Sequence, residues 1–190
     1  MRSRSPQGFT IVEAMLAVGI IAILVALAMP SIQTGNRTTL MRSATQEVMH
    51  LMDLARVQAQ SRNRAYEVAV NLGAGLITLN ESANTKCSGI ASGLSNVRQL
   101  VLGVGNGDFG EVGIVKVLPD GLGSQFNLCF KPDGRVLRTD TEKPIPSSDA
   151  VYGAGEARIV LQRKQKGIFV EVRHTIVVPY NGIPVFEAGG

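Results

Sequence analysis

A long apolar segment near the N-terminus constrains the fold of this chain more than any other part of the sequence. Residues 9–29 contain a single charged side chain, that of Glu13. As an α-helix, this segment would be about 31 Å long, which matches the roughly 30 Å hydrocarbon core of a bilayer. Arg2 and Arg4 precede it, so the positive-inside rule predicts a cytoplasmic N-terminus and export of the rest of the chain. We therefore predict a transmembrane helix.

Glu13 decides between two kinds of exported protein. A cleavable signal peptide would also have a basic start, an apolar run and an A-x-A box, which is present here as Ala26-Leu27-Ala28. A signal peptide does not require a carboxylate that costs about 3 kcal/mol in lipid, and residues 9–12 extend the apolar run beyond the usual length. The sequence therefore favours a retained helix in which Glu13 has a function.

The junction Gly8-Phe9-Thr10-Ile11-Val12-Glu13 resembles the start of type IV prepilins and type II secretion pseudopilins. These proteins have a short basic leader ending in Gly, then Phe, and a Glu at the fifth position after the cut. The resemblance implies that a prepilin peptidase cleaves after Gly8 and methylates the new N-terminus at Phe9. It also implies that Glu13 pairs with the Phe9 amine of a neighbouring subunit in a fibre. Pro30 stands where many pilins have a helix-bending proline.

Beyond the apolar segment, the sequence predicts more helix and then a β domain. Apolar residues recur every three or four positions over residues 40–59, which indicates an amphipathic helix that ends near residues 63–65. These residues are Leu40, Ala44, Val48, Leu51, Ala55 and Ala59. After residue 65, short β-branched runs separated by Gly, Pro, Asn and Asp predict strands. The runs cover residues 66–70, 76–79, 97–102, 112–118, 126–130, 135–138, 158–163 and 168–178.

We predict an α+β fold in which a long N-terminal helix, with a transmembrane half and an amphipathic half, packs on an antiparallel β domain of two small sheets. The expected organisation is a leader, a transmembrane and assembly helix, its amphipathic continuation, and a periplasmic β-rich pilin-like domain. Their bounds are residues 1–8, 9–29, 30–64 and 65–190. The stretch Phe-x-Pro-x-Gly-Arg at residues 130–135 includes a predicted tight turn. This pattern is similar to the H-type pseudopilins and the FimT/FimU-type minor pilins.

Two cysteines, Cys87 and Cys129, are present in the sequence. Export to an oxidising compartment predicts a disulfide between them. The alternative is a pair of buried free thiols, because the sequence does not show whether their Cα atoms come within about 7 Å of each other.

The sequence contains no legible catalytic constellation, and we predict that the chain is not an enzyme. Residues 105–110 match the dinucleotide pattern G-x-G-x-x-G, but a strand-like run follows them instead of the helix that such a site requires. His50 and His174 lie far apart without paired ligand spacing. We therefore expect no cofactor and no metal, and we expect imidazoles that face solvent or are satisfied locally.

Two functions stay open at the level of sequence. The first is a minor pilin or pseudopilin that helps to prime a type IV pilus or a type II secretion pseudopilus. Its partners would be other pilins, the prepilin peptidase and the membrane that holds its N-terminal helix. The expected location is the bacterial inner membrane, with the C-terminal domain in the periplasm, and then the fibre.

The second function is that of a FimT-like minor pilin that binds DNA during uptake through a basic hairpin. Strand alternation predicts that Ile159, Leu161, Ile168, Val170 and Val172 face the core. The same alternation leaves Gln162 and Glu171 outward, together with the candidate DNA contacts Arg158, Lys164 and Arg173, and a fourth candidate, Lys166, lies at the turn. The formal net charge of +4 is modest and does not by itself demand a nucleic-acid partner.

Overall fold

The computed structural model describes residues 10–87, 95–103, 109–118, 125–145, 155–165 and 168–188. A helix, α1, covers Ile11–Arg62, and nine strands follow it within the described part of the chain. The strands are β1 (Tyr66–Asn71), β2 (Leu76–Glu81), β3 (Ser95–Val101), β4 (Val112–Leu118), β5 (Gln125–Phe130), β6 (Val136–Arg138), β7 (Ala157–Gln165), β8 (Ile168–Val178) and β9 (Val185–Ala188). The chain divides into two compact units, Met1–Thr39 and Leu40–Gly190.

The C-terminus of α1 is closed by a Schellman-type cap. Asn63 adopts the left-handed backbone conformation with φ 53°, which asparagine tolerates better than most residues. The N–H of Arg64 then donates to the carbonyl oxygen of Ala59 at 3.3 Å. The helix therefore ends within a few residues of the predicted position, and three residues separate it from β1.

The first sheet has the strand order β3-β2-β1-β5-β6, and all its neighbouring strands are antiparallel. Tyr66 on the central strand pairs with Glu81 on one side and with Phe130 on the other. Between β5 and β6, the N–H of Gly134 donates to the carbonyl oxygen of Lys131 at 2.9 Å, and Gly134 has φ 85°. The predicted tight turn is therefore present.

The second sheet has the order β4-β7-β8-β9 and is also antiparallel. Its pairing register shifts between Ile114 and Lys116 on β4, and again between Gln162 and Lys164 on β7. Such shifts are β-bulges, which bend a strand and change the direction of the side chains that follow. The last strand, β9, pairs with residues 174–177 of β8.

The core of the unit Leu40–Gly190 lies between the second part of α1 and the two sheets. The helix contributes the predicted apolar stripe, since Ala44, Val48, Leu51, Ala55 and Ala59 are buried and Leu40 lies partly buried at its margin. The first sheet contributes Val68, Leu79 and Leu128, and the second contributes Ile159, Leu161 and Ile176. The predicted α+β arrangement of a helix packed on two antiparallel sheets is confirmed.

Each of the eight predicted strand runs coincides with one of the strands β1 to β8. The ninth strand, Val185–Ala188, is absent from the prediction. It is a four-residue strand that follows Pro184, so its sequence alone resembles a C-terminal tail. Its pairing with β8 makes it a strand.

Candidate functional site

The first turn of α1 contains Glu13 and follows Thr10, two residues of the predicted junction. The side-chain oxygen of Thr10 accepts a hydrogen bond from the N–H of Glu13 at 3.3 Å. A Thr at the N-cap followed three residues later by Glu is the capping-box pattern, and a carboxylate in the first turn complements the helix dipole. Gly8 and Phe9 lie outside the described residues. Position 30 lies inside α1.

The first part of α1 exposes apolar side chains around its whole circumference. They are Ile11, Val12, Met15, Leu16, Val18, Ile20, Ile21, Ile23, Leu24, Val25 and Leu27. Within the described part of the chain, no helical segment reaches the length and apolar character of a membrane span. A helix that exposes apolar side chains all round has no face suited to water.

The two cysteines are bridged in the second unit. The Cα atoms of Cys87 and Cys129 lie 5.9 Å apart, a usual distance for a disulfide, and both residues are buried. The N–H of Cys87 donates to Glu142 Oε1 at 2.8 Å, and Lys131 Nζ lies 4.0 Å from Glu142 Oε2. Glu142 therefore fixes the backbone beside the bridge. The sequence reasoning missed it, because no local pattern connects residues 55 positions apart.

Arg158, the first candidate DNA contact, is held by two carboxylates. Its Nη2 lies 2.8 Å from Glu156 Oε1, and its Nη1 lies 2.7 Å from Glu187 Oε2. Burial by itself would lower the pKa of Arg158. The hydrogen bonds and charges of Glu156 and Glu187 together raise the pKa by more than burial lowers it, so the pKa lies above its ordinary value. The two glutamates offset the charge that Arg158 would present to a phosphate.

Lys164 and Phe169 cover a glycine on the neighbouring part of the sheet. The ammonium of Lys164 lies 5.2 Å from the centroid of the Phe169 ring, which is a cation–π distance. A Cβ atom on Gly113 would lie 2.9 Å from Lys164 Cε and 3.0 Å from Phe169 Cε1. The absence of a side chain at position 113 therefore lets the lysine stem and the ring lie against the strand. Arg173 is exposed on β8, and Lys166 lies outside the described residues.

Among the side chains that the structure describes, the predicted alternation of the hairpin is wrong at Ile168 and Gln162, and the side chain of Val172 lies outside them. Ile168 does not face the core but is 71% exposed, and Gln162 is buried instead of exposed. The amide of Gln162 donates across the hairpin to the carbonyl oxygen of Val170, which draws this side chain inward. The bulge between Gln162 and Lys164 disturbs the simple period of two, and β9 does not extend along the sheet as far as Ile168.

His174 connects β8 to the helix. The hydroxyl of Thr45 donates to the carbonyl oxygen of Met41 at 2.8 Å, and its oxygen lies 2.8 Å from His174 Nδ1. Since the single hydroxyl hydrogen is used by Met41, Nδ1 of His174 is the donor to Thr45. The ring of Phe186 packs edge-on at 4.9 Å between centroids. The imidazole is thus satisfied locally, as the sequence predicts, and among the described residues no group of three or more His, Cys, Asp or Glu could hold a metal.

The stability of the protein should depend on pH through His174. Burial disfavours the imidazolium, so the pKa of His174 lies below its ordinary value. As the pH falls, His174 therefore becomes protonated at a higher pH in the unfolded chain than in the folded protein. The free energy of unfolding should consequently decrease as the pH falls below about 6.5. Urea unfolding at about pH 7.5 and about pH 5.5 measures this loss. His174→Asn should reduce it, because asparagine keeps an N–H donor but does not titrate.

The matched control for this measurement is His50→Asn, since His50 is exposed on α1. This variant should keep the pH dependence of the unaltered protein. Equal pH dependence in His174→Asn and in the unaltered protein would show that His174 is not the responsible group.

Comparison with known proteins agrees with the character of the N-terminal segment. Residues 3–29 match the prokaryotic N-terminal methylation motif. The chain thus combines this N-terminal motif with a helix packed on two antiparallel sheets. Among solved structures, the chain is similar to the type IV minor pilin FimU of Pseudomonas aeruginosa strain PAO1, with 15% sequence identity and a TM-score of 0.44. The similarity covers 77% of this chain and 91% of that chain. No curated protein matches the chain.

Proposed function

We propose that this chain is a minor pilin or pseudopilin, processed by prepilin peptidase and assembled through its N-terminal helix into a type IV pilus or a type II secretion pseudopilus. In that fibre it helps to prime assembly, and its partners are other pilins. The observation that carries this proposal is the methylation motif at residues 3–29, in which Glu13 interrupts an otherwise apolar and exposed helix surface.

The proposal accounts for the two environments that such a helix needs. Before assembly, the apolar side chains of residues 11–27 would be covered by the lipid of the inner membrane, which holds the precursor. In the fibre they would be covered by the helices of neighbouring subunits. The carboxylate of Glu13 is costly in lipid at about 3 kcal/mol, and pairing with the Phe9 amine of a neighbour would offset this cost. Glu13 would thereby favour the fibre over the membrane.

The disulfide supports export of the second unit. Disulfides persist in oxidising compartments such as the periplasm and are rare in the cytosol. The bridge between Cys87 and Cys129 therefore fits a domain on the periplasmic side of the inner membrane. Co-purification with pilins of one system or the other would distinguish a type IV pilus from a type II secretion pseudopilus.

The mature chain should begin at Phe9 and carry one added methyl group. Intact mass spectrometry of membrane-extracted protein should show the loss of residues 1–8 in cells that contain prepilin peptidase. In cells without the peptidase, the full precursor should remain, which serves as the control. A mature chain that begins at Met29 would instead identify the N-terminal segment as a signal peptide.

The DNA-uptake function of a FimT-like subunit is not favoured by any contact among the described residues. Arg158 is engaged with Glu156 and Glu187, and Lys164 lies against Phe169. A phosphate would have to compete with the two glutamates for Arg158. DNA binding by the hairpin therefore stays a hypothesis.

A further inference from the structure

The end of the β7–β8 hairpin continues past the rest of its sheet. On one side, β4 pairs with β7 over residues 158–163, and on the other, β9 pairs with β8 over residues 174–177. Beyond these ladders, Lys164 pairs with Phe169 and Gln165 pairs with Ile168. We call Lys164, Ile168 and Phe169 the hairpin end. It lies at the margin of the four-stranded part of the sheet, where the N–H of Lys164 still donates to the carbonyl oxygen of Glu111, next to β4, at 2.6 Å.

The hairpin end exposes apolar side chains on both of its faces. Ile168 is 71% exposed and Phe169 is 38% exposed. As neighbours in a strand they point to opposite faces, so the apolar surface is not restricted to one side. A branched aliphatic side chain exposed to this degree makes little contact with the core. Ile168 is therefore available on one face, and on the other face the part of the Phe169 ring that does not lie against Gly113 is exposed.

Cationic groups lie beside these apolar side chains. The ammonium of Lys164 is held over the ring of Phe169, and Arg173 is exposed further along the same strand as Phe169. Aliphatic and aromatic groups next to lysine and arginine are the composition that binds the interface of anionic bilayers, where the apolar groups lie below the lipid phosphates and the cations pair with them. Nucleic acid offers phosphates but no apolar environment for Ile168.

We propose that the hairpin end binds the surface of an anionic phospholipid bilayer, with Ile168 and Phe169 entering the headgroup region and Lys164 contacting lipid phosphate. This contact goes beyond the assembly function, because it involves neither processing at Gly8 nor the pairing of Glu13. It would give the β domain a second attachment to the membrane in addition to the N-terminal helix.

The absence of tryptophan from the chain allows a specific test. The full-length Ile168→Trp variant, reconstituted in vesicles, would have its single indole at the hairpin end. With phosphatidylcholine vesicles that contain phosphatidylglycerol, we expect a blue-shifted emission and quenching by lipids brominated in the acyl chain. With phosphatidylcholine alone, both effects should be weaker. The matched control is Ile183→Trp, which places the indole at another exposed isoleucine, 46% accessible, in a chain with the same N-terminal helix.

The charge contribution is tested by adding Lys164→Gln to the Ile168→Trp chain and reconstituting it in vesicles of increasing phosphatidylglycerol content. The loss of one cation near an anionic surface is expected to weaken the vesicle-dependent signal about fivefold. Lys143→Gln removes an exposed lysine elsewhere and should leave the signal unchanged. Far-UV circular dichroism shows whether each variant keeps its fold.

Two results would overturn the proposal. The first is equal quenching of Ile168→Trp and Ile183→Trp by the brominated anionic vesicles. The second is an emission change of Ile168→Trp on addition of duplex DNA but not of vesicles, which would assign the hairpin end to nucleic acid. Neither result depends on whether the mature chain begins at Phe9, so failure of this proposal and failure of the proposed function are distinguishable.

Discussion

Replacement of both Cys87 and Cys129 by alanine is expected to lower the free energy of unfolding by about 4 kcal/mol. The bridge connects residues 42 positions apart, and closing a loop of this length restricts the unfolded chain by about that amount. Because domains are commonly stable by only about 5–15 kcal/mol, the loss would remove a large part of the total. Urea unfolding of the oxidised protein and of the double variant measures the difference.

Reduction of the unaltered protein provides the control for this comparison. With a thiol reductant, its unfolding midpoint should move toward that of the double variant, whereas the midpoint of the variant should not change. The prediction would be contradicted if the exported, denatured protein titrated two free thiols without reductant.

Glu13→Ala is expected to leave membrane insertion intact and to reduce incorporation into fibres by about 100-fold or more. The reason is that the Phe9 amine of a neighbouring subunit would lose its counter-charge, and removing one partner of a buried ion pair costs about 3–5 kcal/mol. Quantitative immunoblotting of sheared fibres and of membranes measures the two populations. Insertion itself should become easier, because a carboxylate leaves the apolar segment.

Two variants on the same helix separate charge from packing. Glu13→Asp keeps the carboxylate and should retain part of the incorporation. Met15→Ala shortens a neighbouring exposed apolar side chain without a change of charge, and its effect should be small. Normal incorporation of Glu13→Ala would show that the subunit enters the fibre through contacts of its β domain alone.

The sequence predicts those parts of the fold that are determined locally. The spacing of apolar residues from Ala44 to Ala59 predicts the buried face of α1, because side-chain direction along a helix follows from its period. The strands β1 to β8 are likewise rich in β-branched residues and separated by turn formers. By contrast, Val185–Ala188 is a strand because it pairs with β8. The four residues of this strand contain no pattern that would predict the pairing.

The contacts around the candidate sites depend on residues far apart in the sequence. Thr45 and His174 are separated by 129 positions, and Cys87 and Glu142 by 55. The exposure of Ile168 follows from a bulge and from the short extent of β9, and neither feature has a signature in the hairpin itself. The prepilin junction differs from these sites because its residues are consecutive, so a linear motif is sufficient to find it.

The close approach of Lys164 and Phe169 to Gly113 restricts which substitutions homologous chains can have at these three positions. An added methyl group at position 113 would meet the flexible end of a lysine on one side and the edge of a ring on the other. The lysine could turn away, but the ring has less freedom to move. Homologous chains with alanine or a larger residue at position 113 should therefore have a smaller side chain at position 169. The three positions would form a covarying set, although 56 residues separate the first from the last.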